Sequence, residues 1–293
     1  MSYRKILAPI FGSGGDRTSL QAGIALARQF GAHLEALFVR FDPVHTNQYG
    51  YLGGDVSGYA AKYFIDAAIK AADEAQGAAS ASFTRAVERS GIEVTDAPKA
   101  RSEATAEFKI VQGDVAERIE EEARLADLIV FSGEGGDLVV DRSRNALESV
   151  LLSGARPVLF VAPTGDGAAF GQSIAICYDG SAAAAHAVTA ALPFINRAKA
   201  VHAFEVSAEG GKSVALAELK RYLALHGVEL VEHVVDPGRK DTEETLLAAV
   251  KAERCDMVVL GGYGHSRVRE VVFGGVTRHV LRHGAVPAIF MAH

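Results

Sequence analysis

Cys255-Asp256-Met257-Val258-Val259-Leu260-Gly261-Gly262-Tyr263-Gly264 is an apolar run that breaks into glycines. His265 to Phe273 then separate it from Gly274-Gly275-Val276-Thr277 and a helix-like segment, Thr277 to His283. A short Met/Val/Leu run bounded by glycine reads as a buried strand entering a turn. Glycine lets backbone N–H groups approach a ligand closely. The second glycine pair stands where a helix begins, and a helix N-terminus attracts anions. Strand, glycine turn and helix in this order read as a phosphate cradle.

Working outward, the same kind of strand recurs at matched places. Lys5-Ile6-Leu7-Ala8-Pro9-Ile10-Phe11-Gly12-Ser13 corresponds to Ser173-Ile174-Ala175-Ile176-Cys177-Tyr178-Asp179-Gly180-Ser181. Ala126-Asp127-Leu128-Ile129-Val130-Phe131 corresponds to Cys255 to Leu260, and Ala155 to Val161 corresponds to Ala285 to Met291. Three anchors in one order indicate a duplicated unit. Strands are expected near Ile6–Ile10, Leu34–Phe38, Phe108–Val111, Leu128–Phe131 and Val158–Val161. Their counterparts are Ile174–Tyr178, Val201–Val206, Leu230–Val235, Met257–Leu260 and Ala288–Met291. Helix-like runs alternate with them, which implies a parallel sheet covered on both faces. The expected domains are residues 1–163 and 170–293, joined by the turn-rich stretch Ala162 to Ala169. The first carries an insert from about 42 to 105, with a Tyr-rich loop (Tyr49, Tyr51, Tyr59, Tyr63) and a helical run, Ala60 to Ser90. The loop is read as packing or interface, with a ligand lid as the alternative.

Composition narrows the function classes. The 293 residues are 49% hydrophobic and 23% charged, a globular profile. A net charge of −6 argues against a generic binder of nucleic acid or of membrane surfaces. The two cysteines, Cys177 and Cys255, sit in strand-like runs and read as small core residues. No signal-type apolar stretch opens the sequence, so a cytoplasmic protein is expected.

In a doubly wound sheet, ligands bind beyond the carboxyl ends of the strands where strand order reverses. If the first and fourth strands of the second half are neighbours, Asp179 and Gly261–Gly264 meet there. The segment Gly261-x2-Gly264-x9-Gly274-Gly275 resembles the G-x2-G-x9-G-(S/T) signature of the universal stress protein family. The run Cys177-Tyr178-Asp179-Gly180-Ser181 is similar to that family's first strand, and the resemblance covers the chain as a tandem of two domains. It implies two flavodoxin-like/Rossmann-like doubly wound domains, each a five-stranded parallel sheet with helices on both faces. It also implies a stress-response protein binding ATP or AMP in its second domain.

The implied nucleotide site comprises Tyr178, Asp179, Gly261, Gly264, His265, Gly274, Gly275, Val276 and Thr277. Asp179 would lie at the ribose and adenine, with Gly261 and Gly264 at the ribose and first phosphates. Gly274, Gly275, Val276 and Thr277 would offer N–H groups to the outer phosphates, and His265 follows Gly264 within reach of a phosphate. Gly275 stands where the family has a hydroxyl, which weakens the case for Mg2+ more than the case for nucleotide. Family dimers form through the last strand; in a tandem chain the two last strands are candidates to pair with each other, and a further homodimer stays open.

The first half departs from the signature. Phe11 occupies the position of Asp179, Glu134 and Asp137 enter its glycine run, and Arg144–Ala146 replace the second glycine pair. It reads as a partner without nucleotide. Gly12-Ser13-Gly14-Gly15-Asp16 resembles a pyrophosphatase loop but is better explained by Asp16 or Thr18 capping a helix. His279 and His283, four apart on the expected helix, lack partners at metal-ligand spacing and read as solvated. Arg267, Arg269 and Arg278 flank the cradle, as surface charge or as a screen for phosphate. No Lys-bearing phosphoryl-transfer loop or catalytic base is evident. The chain therefore reads as a nucleotide-dependent sensor acting on a regulatory protein partner. The alternatives are a non-nucleotide interaction or small-ligand scaffold, and a slow ATPase.

Overall fold

The computed structural model describes residues 2–41, 58–98, 103–133, 137–162, 170–206, 213–236, 238, 242–262 and 288–293. The chain divides into two compact units. Tyr3–Gly154 forms one, and Ala155–His293 with Met1–Ser2 forms the other.

In the first unit the strands are β1 (Lys5–Ile10), β2 (His33–Phe41), β3 (Glu93–Val94), β4 (Thr105–Gly113) and β5 (Leu128–Ser132). They lie in the order β3-β4-β2-β1-β5, and every pair is parallel. The helices are α1 (Asp16–Phe30), α2 (Gly58–Ser90), α3 (Val115–Ala123) and α4 (Asp137–Leu152). Ile6 to Ile10 and Leu128 to Phe131 are buried along their length, as strands covered on both faces must be. The two-residue β3 is exposed and too short to leave a periodic signal, so sequence reading did not anticipate it.

In the second unit the elements are β6 (Val158–Val161), β7 (Ser173–Cys177), α5 (Ala182–Ile195), β8 (Ala200–Val206), α6 (Val214–Leu225), β9 (Val231–Val235), α7 (Thr242–Ala252), β10 (Met257–Gly261) and β11 (Ala288–Ala292). The order is β6-β11-β10-β7-β8-β9, parallel throughout except for β6. β6 runs antiparallel to β11, with Val161 opposite Ala288 and Val158 opposite Met291. These are the two strands that the repeat matches as last strands. By its contacts β6 counts with the second unit.

The repeated aspartates of the sequence have the same task in both halves. Asp127 accepts hydrogen bonds from the N–H groups of Arg4 (2.7 Å) and Lys5 (2.9 Å), and its own N–H donates to the Lys5 carbonyl. Asp256 accepts from Gly171 (2.8 Å), Gln172 and Ser173 (3.1 Å), and its N–H donates to the Ser173 carbonyl. Each carboxylate clasps the start of the first strand to the strand beside it. Cys255 is buried and Cys177 half-buried, both as free thiols. Among the described residues no helix is long and apolar enough to cross a membrane.

Candidate functional site

The reversal of strand order in the second unit falls between β7 and β10. Their register sets Leu260 beside Cys177, so Gly261, the last residue of β10, and Tyr178–Asp179, which follow β7, come together at that end of the sheet. Gly261 fits tightly there: a Cβ on it would stand 2.5 Å from the Ala184 nitrogen and 2.7 Å from the Ala183 carbonyl carbon. A side chain at this position would push the first turn of α5 away from the sheet. The glycine is thus required by packing as well as by any ligand.

Two capped helix starts converge on this end of β7. Gly180, with φ +76°, turns the chain into α5, and its ideal Cβ position lies 3.5 Å from the Ala215 side chain in the first turn of α6. Ser181 caps α5 by accepting from the Ala184 N–H at 3.1 Å. Ser213 caps α6 by accepting from the Leu216 N–H at 3.0 Å, and its hydroxyl donates to the Glu205 carboxylate. Helix starts carry partial positive charge, so the pair favours an anion. Asp179 is exposed and accepts from the Ser181 N–H at 2.9 Å, an Asx turn that fixes the carboxylate. Tyr178 donates its N–H to the Phe204 carbonyl. Its phenol is pushed above the usual range by burial, then by the charges of Glu218 and Asp179, and so stays protonated. The Cys177 thiol is pushed up to about 12 by burial, with the neighbouring Cys255 and Asp179 adding to it. It is no thiolate nucleophile at neutral pH.

Of the expected nucleotide-site residues, the structure brings Tyr178, Asp179 and Gly261 together. Gly264, His265, Gly274, Gly275, Val276 and Thr277 lie outside the described residues, as do Arg267, Arg269, Arg278, His279 and His283. The Gly262 N–H donates to the Ala292 carbonyl at 2.7 Å, so it serves the sheet rather than a ligand.

The corresponding turn of the first unit is filled from within. Asp16, 1% exposed, accepts from the N–H groups of Phe11 (2.8 Å), Gly12 (2.8 Å) and Ser13 (3.2 Å). Burial raises its carboxyl above the usual range, and these hydrogen bonds offset part of that. The expectation that Asp16 or Thr18 caps the helix is corrected here. The N-cap of α1 is Gly15 with no side-chain hydrogen bond, and Asp16 instead ties down the loop before it. Helix α2 closes the same turn from outside: a Cβ on Gly12 would meet the Ala75 carbonyl oxygen at 2.3 Å. Of the Tyr-rich insert, Tyr63 is exposed on α2, while Tyr49 and Tyr51 lie outside the described residues.

Sequence reading missed two polar clusters, because neither leaves a motif. In the first unit, Glu35 is buried between Lys5 (2.8 Å) and Lys109 (3.8 Å), and Lys109 also pairs with Glu122 (2.6 Å). In the second, His202, His233 and Glu253 meet across β8, β9 and the turn after α7.

A parallel sheet with a crevice at its strand reversal defines the doubly wound α/β class, in which that crevice is the usual ligand site. Residues 172–290 match the model of the Universal stress protein family, and this segment is a universal stress protein domain. The fold of the whole chain is similar to that of a universal stress protein from Archaeoglobus fulgidus DSM 4304, with a TM-score of 0.67 and 18% identity over 98% of this chain and 95% of that one. A functionally unknown protein from Pseudomonas aeruginosa PAO1 is similar over 99% of this chain and 92% of its own, with a TM-score of 0.53 and 13% identity. At such identities the likeness is one of fold. No curated protein matches the chain by sequence.

Proposed function

We propose that the second domain binds an adenine nucleotide, ATP or AMP, and that the chain acts as a cytoplasmic, nucleotide-dependent sensor in a stress response. The observation that carries this reading is the meeting of Asp179 and Gly261 at the β7–β10 reversal, between two capped helix starts. A carboxylate at one lip suits ribose hydroxyls, and clustered N–H dipoles at the other suit phosphate. The spacing of Gly264, Gly274 and Gly275 extends the cradle in sequence. The first domain is not a second nucleotide site in this reading, because Asp16 already occupies the N–H groups of its turn. Bound nucleotide biases a surface toward a regulatory protein partner.

Calorimetric titration of the ligand-free protein with ATP and with AMP tests this. A single nucleotide per chain is expected. Asp179→Ala should weaken it by about tenfold, roughly 1.4 kcal/mol. Failure of both nucleotides to bind overturns the reading. A second reading, a scaffold for a protein partner or small apolar ligand, draws on the exposed Tyr63 of the insert helix. Mass spectrometry of the denatured protein separates the two by what co-purifies. Slow hydrolysis of bound ATP is a third reading; it requires phosphate release that falls with Gly264→Val or Gly274→Val.

A further inference from the structure

On β8, β9 and the turn after α7 of the second unit, three side chains converge. His202 on β8 and Phe204 two residues later share one face of the sheet. Register sets His233 of β9 beside Phe204, and its ring stacks there with centroids 4.6 Å apart at 11°. This stack orients the His233 ring toward His202, whose Nδ1 lies 3.0 Å from the His233 Nε2. Glu253, in the turn after α7, brings its carboxylate oxygens to 3.9 Å from the Nδ1 of each ring. One donor atom from each residue falls within 4.8 Å of the other two.

The internal repeat supplies a control for this place in the fold. Lys5 pairs with His33 as Ser173 pairs with Ala200, so Glu35 of the first unit takes the position of His202. Lys109 takes that of His233, since it pairs with Leu37 as His233 pairs with Phe204. In the first unit the position closes on itself as an ion cluster of Glu35, Lys109 and Glu122. In the second, an imidazole replaces the lysine. Two imidazoles and a carboxylate then remain, a set of electron-pair donors that calls for a cation.

We propose that His202, His233 and Glu253 form a binding site for a divalent transition metal of the zinc class, with a further coordination position open to water. Two imidazoles and one carboxylate are a zinc donor set. Zn–N bonds of 2.0–2.1 Å in a tetrahedron separate two nitrogens by about 3.3 Å. The rings need to part by only a few tenths of an ångström, and the carboxylate, within 4.8 Å of the two nitrogens, has to move inward by up to about 1.5 Å. Side chains of His233 and Glu253 are 23% and 40% exposed, so the metal has a route in from solvent. The site stands apart from the Asp179 crevice and owes nothing to the nucleotide reading.

The test uses the full chain, stripped of metal with a chelator and titrated with Zn2+ by calorimetry and with Co2+ by visible absorption. One equivalent of Zn2+ and the intense d–d bands of a four-coordinate Co2+ site are expected. Loss of an oriented partner one shell further out already costs about 10–100-fold in affinity, so His233→Gln and Glu253→Gln should each lose at least that. Glu253→Gln is the deciding variant, because the Glu253 side chain is 40% exposed and glutamine keeps its size; circular dichroism checks that it is folded. His279→Gln with His283→Gln should leave affinity unchanged. The proposal is overturned if the wild type takes up no Zn2+, if folded Glu253→Gln binds as wild type does, or if only the His279 and His283 substitutions abolish binding.

Discussion

The two turns that follow β1 and β7 hold matched places in the two halves and differ in what fills them. After β7 stands the exposed Asp179; after β1 stands Phe11. Where the second unit has Ala184, the first has Asp16, whose carboxylate takes three N–H groups of the turn. The contact between strand and helix is exchanged as well. Gly261 lies against Ala183 and Ala184, whereas the first unit places Ser132 on the strand and Gly15 on the helix side, joined by a 2.8 Å hydrogen bond. Finally, α2 presses its backbone onto Gly12, while among the described residues Gly180 meets a methyl group, that of Ala215. Among the described residues, the first turn is filled by Asp16 and covered by α2, whereas Asp179 after the second is exposed. The two turns differ by a set of linked exchanges rather than by one residue.

The sharpest way to break this comparison is a matched pair of substitutions. Gly12→Ala forces a side chain into φ +74° and into the Ala75 carbonyl at 2.3 Å. Left-handed backbone costs about 1–2 kcal/mol and overpacking about 1–3 more, so a loss of about 2–5 kcal/mol is expected. Gly180→Ala meets the Ala215 side chain at an ordinary 3.5 Å and should lose only the backbone part, about 1–2 kcal/mol. Urea unfolding of the two variants reads the difference; equal losses would mean that α2 does not seal the first turn.

Asp16→Ala leaves three N–H groups without their acceptor and should cost about 2–3 kcal/mol, with Asp16→Asn recovering part of it. If the variant instead gains nucleotide affinity in the first unit, the occupied turn is all that separates the halves. A smaller effect concerns the ion cluster. Burial first, then the Glu35 carboxylate beside it, raise Glu107 from 4.5 to about 7, against the pull of Lys109 and Lys5. A raised acid favours the fold when protonated. Its contribution is therefore full below about pH 4.5 and is lost as pH rises to about 7. Glu107→Gln should remove that slope and gain on the order of 1 kcal/mol at alkaline pH, screening considered. A pH series of melting curves that stays parallel to the wild type would count against it.

The strands could be read because burial on both faces makes them continuous apolar runs, and because Asp127 and Asp256 repeat their clasp at one register. That the first and fourth strands of the second half are neighbours was a condition of the doubly wound reading; β7 pairs with β10, and Asp179 and Gly261 meet accordingly. What stayed hidden depends on contacts between residues distant in sequence. Nothing in Gly12-Ser13-Gly14-Gly15-Asp16 announces that a helix from the insert will cover it, so Asp16 looked like a cap. His202, His233 and Glu253 sit on separate elements and come together only through the register of β8 with β9. β3 is held by its partner β4 and carries no pattern of its own.

The pairing of β6 with β11 carries a consequence for behaviour on dilution. Two separate chains that meet edge to edge come apart as their concentration falls. Here both strands lie on one chain, and a short tether keeps the partner at an effective concentration on the order of millimolar. The β11 edge is therefore sealed at any protein concentration, and a sticky strand edge is withdrawn from association with other copies.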